Sequence, residues 1–400
     1  MKKRTVKEIL TAAAGLLLAL AVLTFGMAAA SAAGTPVYAG SDLFTDRDLE
    51  QTADLSKAVT YTVSDGTEIR ITEGGTYVLT GTASNATVYV DAGDDAKVQL
   101  VLQNLSMTNS DFPCIYVVSA DKVFVTTAGD SSLSVTGAFR ADGNVKTDGV
   151  IFSKADLTLN GTGTLTIRSA DNGVVCKDDL KITGGTYNVA ANSKAFEAND
   201  SIRVMGGTFT IRAGTDGFHA ENDDDKSKGY IFIGGGQISI TCGDDGLHAV
   251  TVVQIDDGSV AVTAAEGIEG TYIQINGGTV DISASDDGIN AANKSSFAET
   301  AVEITGGTVT VAMGAGDTDG IDSNGNLYIT GGVISVTGNS TFDYDGNCTF
   351  TGGTVYVNGQ QTSSIPNQMM GGMGGGMGGW GGNGGGWGGN GGWGGRGGRR

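Results

Sequence analysis

Acidic residues placed beside glycine recur through the middle of the chain, in TDGFHAE (215–221), GDDGLHA (243–249), AEGIEG (265–270), SDDGINAANK (285–294) and TDGIDSN (318–324). Aligned on the glycine, with Ala195 in its place once, the preceding residues are Asp148, Asn172, Lys194, Asp216, Asp245, Glu266, Asp287 and Asp319. Two positions past it stand Ile151, Val175, Glu197, His219, His248, Glu269, Asn290 and Asp322. Both columns turn acidic from about residue 197 onward. Like charges stacked closely repel and are costly unless something neutralises them. Ca²⁺ takes six to eight oxygens from carboxylates, carbonyls and water and tolerates irregular geometry. The candidate ligands of such an ion are therefore Asp216, Glu221, Asp244, Asp245, Glu266, Glu269, Asp286, Asp287, Asp319 and Asp322. The competing reading is local, because Asp-Gly is also ordinary turn chemistry in which glycine supplies positive φ. Any one pair alone reads that way; the aligned set reads as a cation site. The nonapeptide calcium repeat is not matched, since its GGxGxD register is missing.

His219 and His248 fall in the second column on adjacent repeats. There they can hold a metal, hydrogen-bond a sugar hydroxyl, or stand as ordinary exposed turn residues. Together with Glu269, Asn290 and Lys294 they are the candidate carbohydrate contacts. The insertions ENDDDKSKGY (221–230) and NKSSFAET (293–300) follow the same corner of their repeats. They are expected to bracket a groove floored by residues 245–249 and 266–270. No GxSxG, P-loop or HExxH is present, and no two acids stand out as a glycosidase pair. No catalytic residue is assigned.

The elements that must carry these residues come from a second, apolar phrase. It reads LKITGGTYNV (180–189), IRVMGGTFTI (202–211), IFIGGGQISI (231–240), IQINGGTVDI (273–282), VEITGGTVTV (302–311), LYITGGVISV (327–336) and CTFTGGTVYV (348–357), with VQIDDGSVAV (253–262) a variant. Its second glycine falls at 185, 207, 236, 258, 278, 307, 332 and 353, in steps of 22, 29, 22, 20, 29, 25 and 21 residues. A unit near this length with occasional insertions means a solenoid. Apolar residues alternate within each phrase, which is the period of strands. The three prolines, at 36, 113 and 366, leave the run uninterrupted. The expected fold is all-β, a right-handed single-stranded parallel β-helix with coils of about 22 residues. Residues 67–362 form it, 33–66 supply an N-terminal extension with the first cap in 41–66, and 363–400 form a tail.

The formal charge is −20. Residues 1–32 begin MKKRTVKEIL, continue into an apolar run from Ala12 to about Leu23, and end on the small residues Ala30-Ser31-Ala32. They read as a removed secretory signal, which makes the protein secreted or held at the cell surface. Lys2, Lys3, Arg4 and Lys7 against Glu8 give that segment a net +3, so the remaining chain is near −23. Such a charge repels nucleic acid and suits cation binding. No segment approaches the length of a membrane span. Cys114, Cys176, Cys242 and Cys348 fit no paired zinc spacing and read as small buried hydrophobes. The tail holds all three tryptophans, Trp380, Trp387 and Trp393, among glycines. It is expected to be disordered, with possible contact to sugars or wall polymers. The chain is expected to be a monomer.

DDGLHA, DDGSVAV, AEGIEG and INGGTVDISASDDGINAA within residues 244–292, with GTYVLTG and VDAGDDAKVQLVLQNLSMT (90–108) upstream, resemble the clostridial-type carbohydrate-binding parallel β-helix family. The resemblance covers about residues 45–360. It implies calcium-containing β-helices shaped like pectate lyases that bind polygalacturonate and cellulose-type polysaccharides. With no tryptophan outside the tail for sugar stacking, an acidic glycan bridged through calcium is favoured over cellulose. Three functions follow as expectations. The leading one is calcium-dependent binding of an acidic polysaccharide. The others are a polysaccharide lyase, with Lys294, Lys226 or Lys228 as base beside Ca²⁺, and a calcium-stabilised surface rod.

Overall fold

The computed structural model describes residues 37–39, 43–315 and 318–368. The proposed signal (1–32), the first residues of the extension and residues 369–400 of the tail lie outside the described residues. The fold is all-β; the helix among the described residues is the single turn Asp46–Leu49. No helix among them is long and apolar enough to cross a membrane.

Strands stack in parallel as a solenoid, forming a 12-stranded and a 24-stranded sheet. Each central coil gives one strand to the first sheet and two to the second. Phe196–Ala198, Ser201–Val204 and Thr208–Ala213 are one such set, and Phe218–Ala220, Tyr230–Ile233 and Gln237–Thr241 are the next. Leu180, Ile202, Ile231, Val253, Ile273, Val302, Leu327 and Cys348 are successive hydrogen-bonded partners. Their separations reproduce the spacing of the glycine pairs. The coils that absorb long steps do so outside the strands, so the ladder stays in register.

The alternation of each phrase sends every second side chain inward. Leu180 through Leu327 in that column are fully buried, as are Phe196, Phe218, Leu247, Ile268, Ile289, Ile321 and Phe342 from the 12-stranded sheet. Burial of this kind stabilises by ~1.5–3 kcal/mol per large apolar side chain. All four cysteines are free; Cys114 and Cys176 are buried, and Cys242 and Cys348 pack at the edge of the core.

Two kinds of glycine do different work. The second glycine of the paired phrase has positive φ, as in Gly236 (+101°) and Gly258 (+97°), so the variant Asp257-Gly258 keeps the turn. The corner glycines beside the acids do not have positive φ. There the constraint is close approach: a Cβ on Gly267 would lie 2.3 Å from Gly288 O and 2.5 Å from Ile282 Cγ2. Corner stacks on corner, and only hydrogen fits between them. The turn explanation of the acid-Gly pairs is therefore corrected.

The N-terminal extension also differs from a simple cap. Val59–Thr62 does pair with Gly75–Ser84 at the end of the stack. Residues 37–39 and 43–51 instead lie over the 24-stranded sheet. The backbone of Tyr38 exchanges hydrogen bonds with the Gln254 side chain, and Tyr38 stacks on Tyr230 at 4.0 Å. Further along, Arg203 donates to Leu43 O. Asp48, fully buried, meets Lys122 at 3.1 Å and Lys181 at 3.2 Å. Burial alone would raise its pKa, but the Thr45 N–H and the two ammonium groups hold it well below the usual carboxylate range. Gln51 then bonds Gly161 N and Thr183 O. This strap joins coils that otherwise touch only their neighbours. At the other end, residues 363–368 also continue the packing: Ile365 lies against the core and Gln368 bonds Thr341 and Phe342.

Candidate functional site

The outer face of the 12-stranded sheet carries one continuous column, paired rung by rung. It runs Arg70, Tyr89, Tyr116, Phe152, Val175, Glu197, His219, His248, Glu269, Asn290, Asp322 and Asp343. The expected second column is thus formed, with one correction. Gly149 pairs with Asn172 and Ile151 with Val174, so the rung before Val175 is Phe152, not Ile151. The aromatic half is covered by the loop after Asp130–Val135. Tyr116 Oη donates to Asp142 at 3.0 Å, and Arg140 lies 3.9 Å from the Phe112 ring centroid. The polar half, from Glu197 on, is the candidate site, and it divides by how its charge is balanced.

In the first part, histidines supply the balance. His219 Nδ1 lies 2.8 Å from Asp216 Oδ2, an ion-pair distance without hydrogen-bond angles, and Nε2 lies 3.1 Å from Glu221 Oε2. His248 Nδ1 lies 2.6 Å from Asp245 Oδ2 and 2.8 Å from Glu269 Oε2. Lys294 reaches Glu269 Oε1 at 2.7 Å. Burial disfavours a charged His248 ring, yet the two carboxylates outweigh it and raise its pKa to about 9. Burial likewise opposes a charged Asp216, and His219 nonetheless holds it below its ordinary value. Glu269, shared between His248 and Lys294, is also held low, whereas burial raises Asp245.

In the second part no cation among the described residues plays this role. Burial first, then the charges of Glu269, Asp245 and Asp287, push Glu266 up to about 7, although Asn290 donates to it at 3.0 Å. Burial, with Asp286 and Asp319 nearby, pushes Asp287 to about 6. Asp322, buried beside Asp287, Asp343 and Asp319, rises to about 7. Buried oxygens here have no hydrogen-bond partner among the described residues: Asn290 Oδ1, Asp319 Oδ1, Asp343 Oδ1 and Ser340 Oγ. Ser340 pairs with Asp319, so it occupies the next rung of the first column. Every one of these donors is a hard oxygen, the set that Ca²⁺ takes. Asp343 and Ser340 were missed in the sequence because STFDY (340–344) has no acid-Gly to align on.

The remaining expected ligands divide in the same way. Asp244 lies beside Asp216 and Asp245, with ligand atoms within 4.8 Å of one another. Asp286 is exposed and acts on Asp287 through its charge.

The insertions do not bracket an open groove. Ser295 Oγ donates to Lys226 O at 2.8 Å, and the backbone N–H groups of Lys294 and Ser295 reach Thr271 Oγ1. The two insertions meet over the intervening corners. The open groove lies on the other side of the first insertion, a cavity of about 480 Å³ lined by Lys177, Lys194, Glu197, His219, Glu221 and residues 222–225 and 228. Lys177 is held by Glu197 at 2.9 Å and Lys228 by Asp200.

Residues 65–318 and 265–364 match the family of carbohydrate-binding domain-containing proteins. A relative of that description from Acetivibrio thermocellus is 38% identical over 201 residues, which is 49% of this chain and 70% of the relative. Among solved structures, the polysaccharide lyase-like protein from C. thermocellum, a gadolinium derivative, is 31% identical with a TM-score of 0.49. That alignment covers 56% of this chain and 96% of the other. With most of its length matched by the family, the chain belongs to the carbohydrate-binding domain-containing proteins.

Proposed function

We propose that this is an exported, calcium-dependent binding protein for an acidic polysaccharide such as polygalacturonate, acting as a monomer. The observation that carries the reading is the uncompensated acid ladder of Glu266, Asp287, Asp319, Asp322 and Asp343, with its orphaned buried oxygens. Asp287, Asp319, Asp322, Asp343 and Asn290 would hold the ion. Bound there, Ca²⁺ supplies the positive charge through which a chain of net charge −20 attracts a polyanion. Family membership supports a polysaccharide partner. The export signal at 1–32, right-handed closure of the coils and a wall-contacting tail belong to the same proposal.

A binding role is favoured over a lyase. An abstracting base must be unprotonated, whereas the hydrogen bond to Asp200 raises the pKa of Lys228, and the Lys294 ammonium is taken up by Glu269 at 2.7 Å. Cellulose is disfavoured for a related reason, since Tyr116 and Phe152 are buried under their loop rather than presented for stacking.

Calorimetry with polygalacturonate, in calcium and then in a chelator, tests the proposal. Binding in calcium that disappears in chelator is expected. Equal binding in both, or an ultraviolet-absorbing unsaturated product, would overturn it.

A further inference from the structure

The chain contains two histidines, and they stack on consecutive coils with ring centroids 4.4 Å apart and planes 13° from parallel. Each turns Nδ1 to the aspartate three residues before it, Asp216 at 2.8 Å and Asp245 at 2.6 Å. An outer carboxylate on one ring nitrogen is how proteins orient imidazoles that bind a metal through the other nitrogen. His219 Nε2 already faces Glu221 Oε2 at 3.1 Å. The contacts of His248 among the described residues all use Nδ1, so Nε2 can exchange its proton for a metal ion. His219, His248 and Glu221 each bring a ligand atom within 4.8 Å of the other two.

We propose that His219, His248 and Glu221 bind a borderline divalent transition metal such as Zn²⁺, at a site separate from the calcium ladder. Imidazole suits zinc, copper and nickel, whereas calcium prefers oxygen throughout. The carboxylates that calcium would need in this part of the column are occupied by imidazole and Lys294. Three protein ligands leave one tetrahedral position open. His219 and Glu221 also line the groove with Lys177 and Lys194, so a sugar oxygen bound there can fill the open position. Glu221 is exposed and begins the insertion that Asp200 anchors through Asn222 and Lys228. It can therefore close the few ångströms needed to reach bonding distance, drawing the loop onto the sheet. The inference does not depend on the identity of the glycan.

The test is a titration of the chelator-stripped protein with Co²⁺ in millimolar Ca²⁺, followed by Zn²⁺. One equivalent of Co²⁺ should produce the visible absorption of a four-coordinate nitrogen–oxygen site, and Zn²⁺ should displace it. Glu221→Gln, at an exposed loop end, and His248→Ala should each weaken binding by at least ~10-fold, as should the orienting variant Asp245→Asn. Circular dichroism of each metal-free variant checks that the fold is kept. No visible band, displacement by calcium, or unchanged affinity in folded Glu221→Gln would overturn the proposal.

Discussion

Asp322→Asn should stabilise the metal-free protein while weakening its calcium binding. Asp322 lies among Asp287, Asp319, Asp343 and Asp345, and burial with their repulsion raises its pKa from 3.8 to about 7. A shift of this size in a fully buried group corresponds to ~4 kcal/mol. Asp322 keeps partial contact with solvent, so screening reduces this to ~1–2 kcal/mol. An amide retains the shape and the acceptor for Asn324 Nδ2, now 3.0 Å away, and removes the charge. At pH 7.5 in chelator the melting temperature should therefore rise by ~2–4 °C. The sign depends on pH. A carboxyl whose folded pKa exceeds its unfolded pKa contributes stability at low pH and loses it as pH climbs from about 4 to about 7. The metal-free wild type should thus become less stable across that window relative to the variant, and the two should converge near pH 4. In saturating calcium the order reverses, because the wild type keeps a ligand that the variant lacks. Scanning calorimetry in chelator and in calcium, at both ends of the window, measures all of this. A lower melting temperature for the variant in chelator at pH 7.5 would refute the repelling ladder and return Asp322 to a hydrogen-bonding role.

Asp48→Asn removes the partner of two lysines under the strap and should cost ~3–5 kcal/mol, seen as a lower melting temperature with protease cleavage opening in residues 43–51. Gly267→Ala puts a methyl against the Gly288 carbonyl. It should cost ~3 kcal/mol or more and reduce soluble yield; an unchanged melting temperature would contradict corner stacking.

Repeat length and strand alternation were legible because both are local. The glycine pairs mark each turn, and apolar residues at every second position mark the inward face, so the register in the structure follows the spacing in the sequence. The column of Glu197, His219, His248, Glu269, Asn290 and Asp322 was legible for the same reason. Its continuation to Ser340 and Asp343 was not, since Thr341 stands where that coil would carry its corner glycine. Alignment on the glycine puts Ile151 in this column, but the pairing of Gly149 with Asn172 offsets that coil by one residue and brings in Phe152.

The amino-acid sequence alone determined a parallel solenoid with acids gathered along one face, because periodicity along the chain becomes stacking in space. Only the tertiary structure decided which acids are neutralised. Whether a carboxylate meets His248, Lys294 or another carboxylate depends on contacts between coils 20 to 30 residues apart and on where a loop folds. The strap is the extreme case. Tyr38 reaches Gln254 across 216 positions and Asp48 reaches Lys181 across 133, and no local pattern encodes a contact whose partner is set by the length of the whole stack.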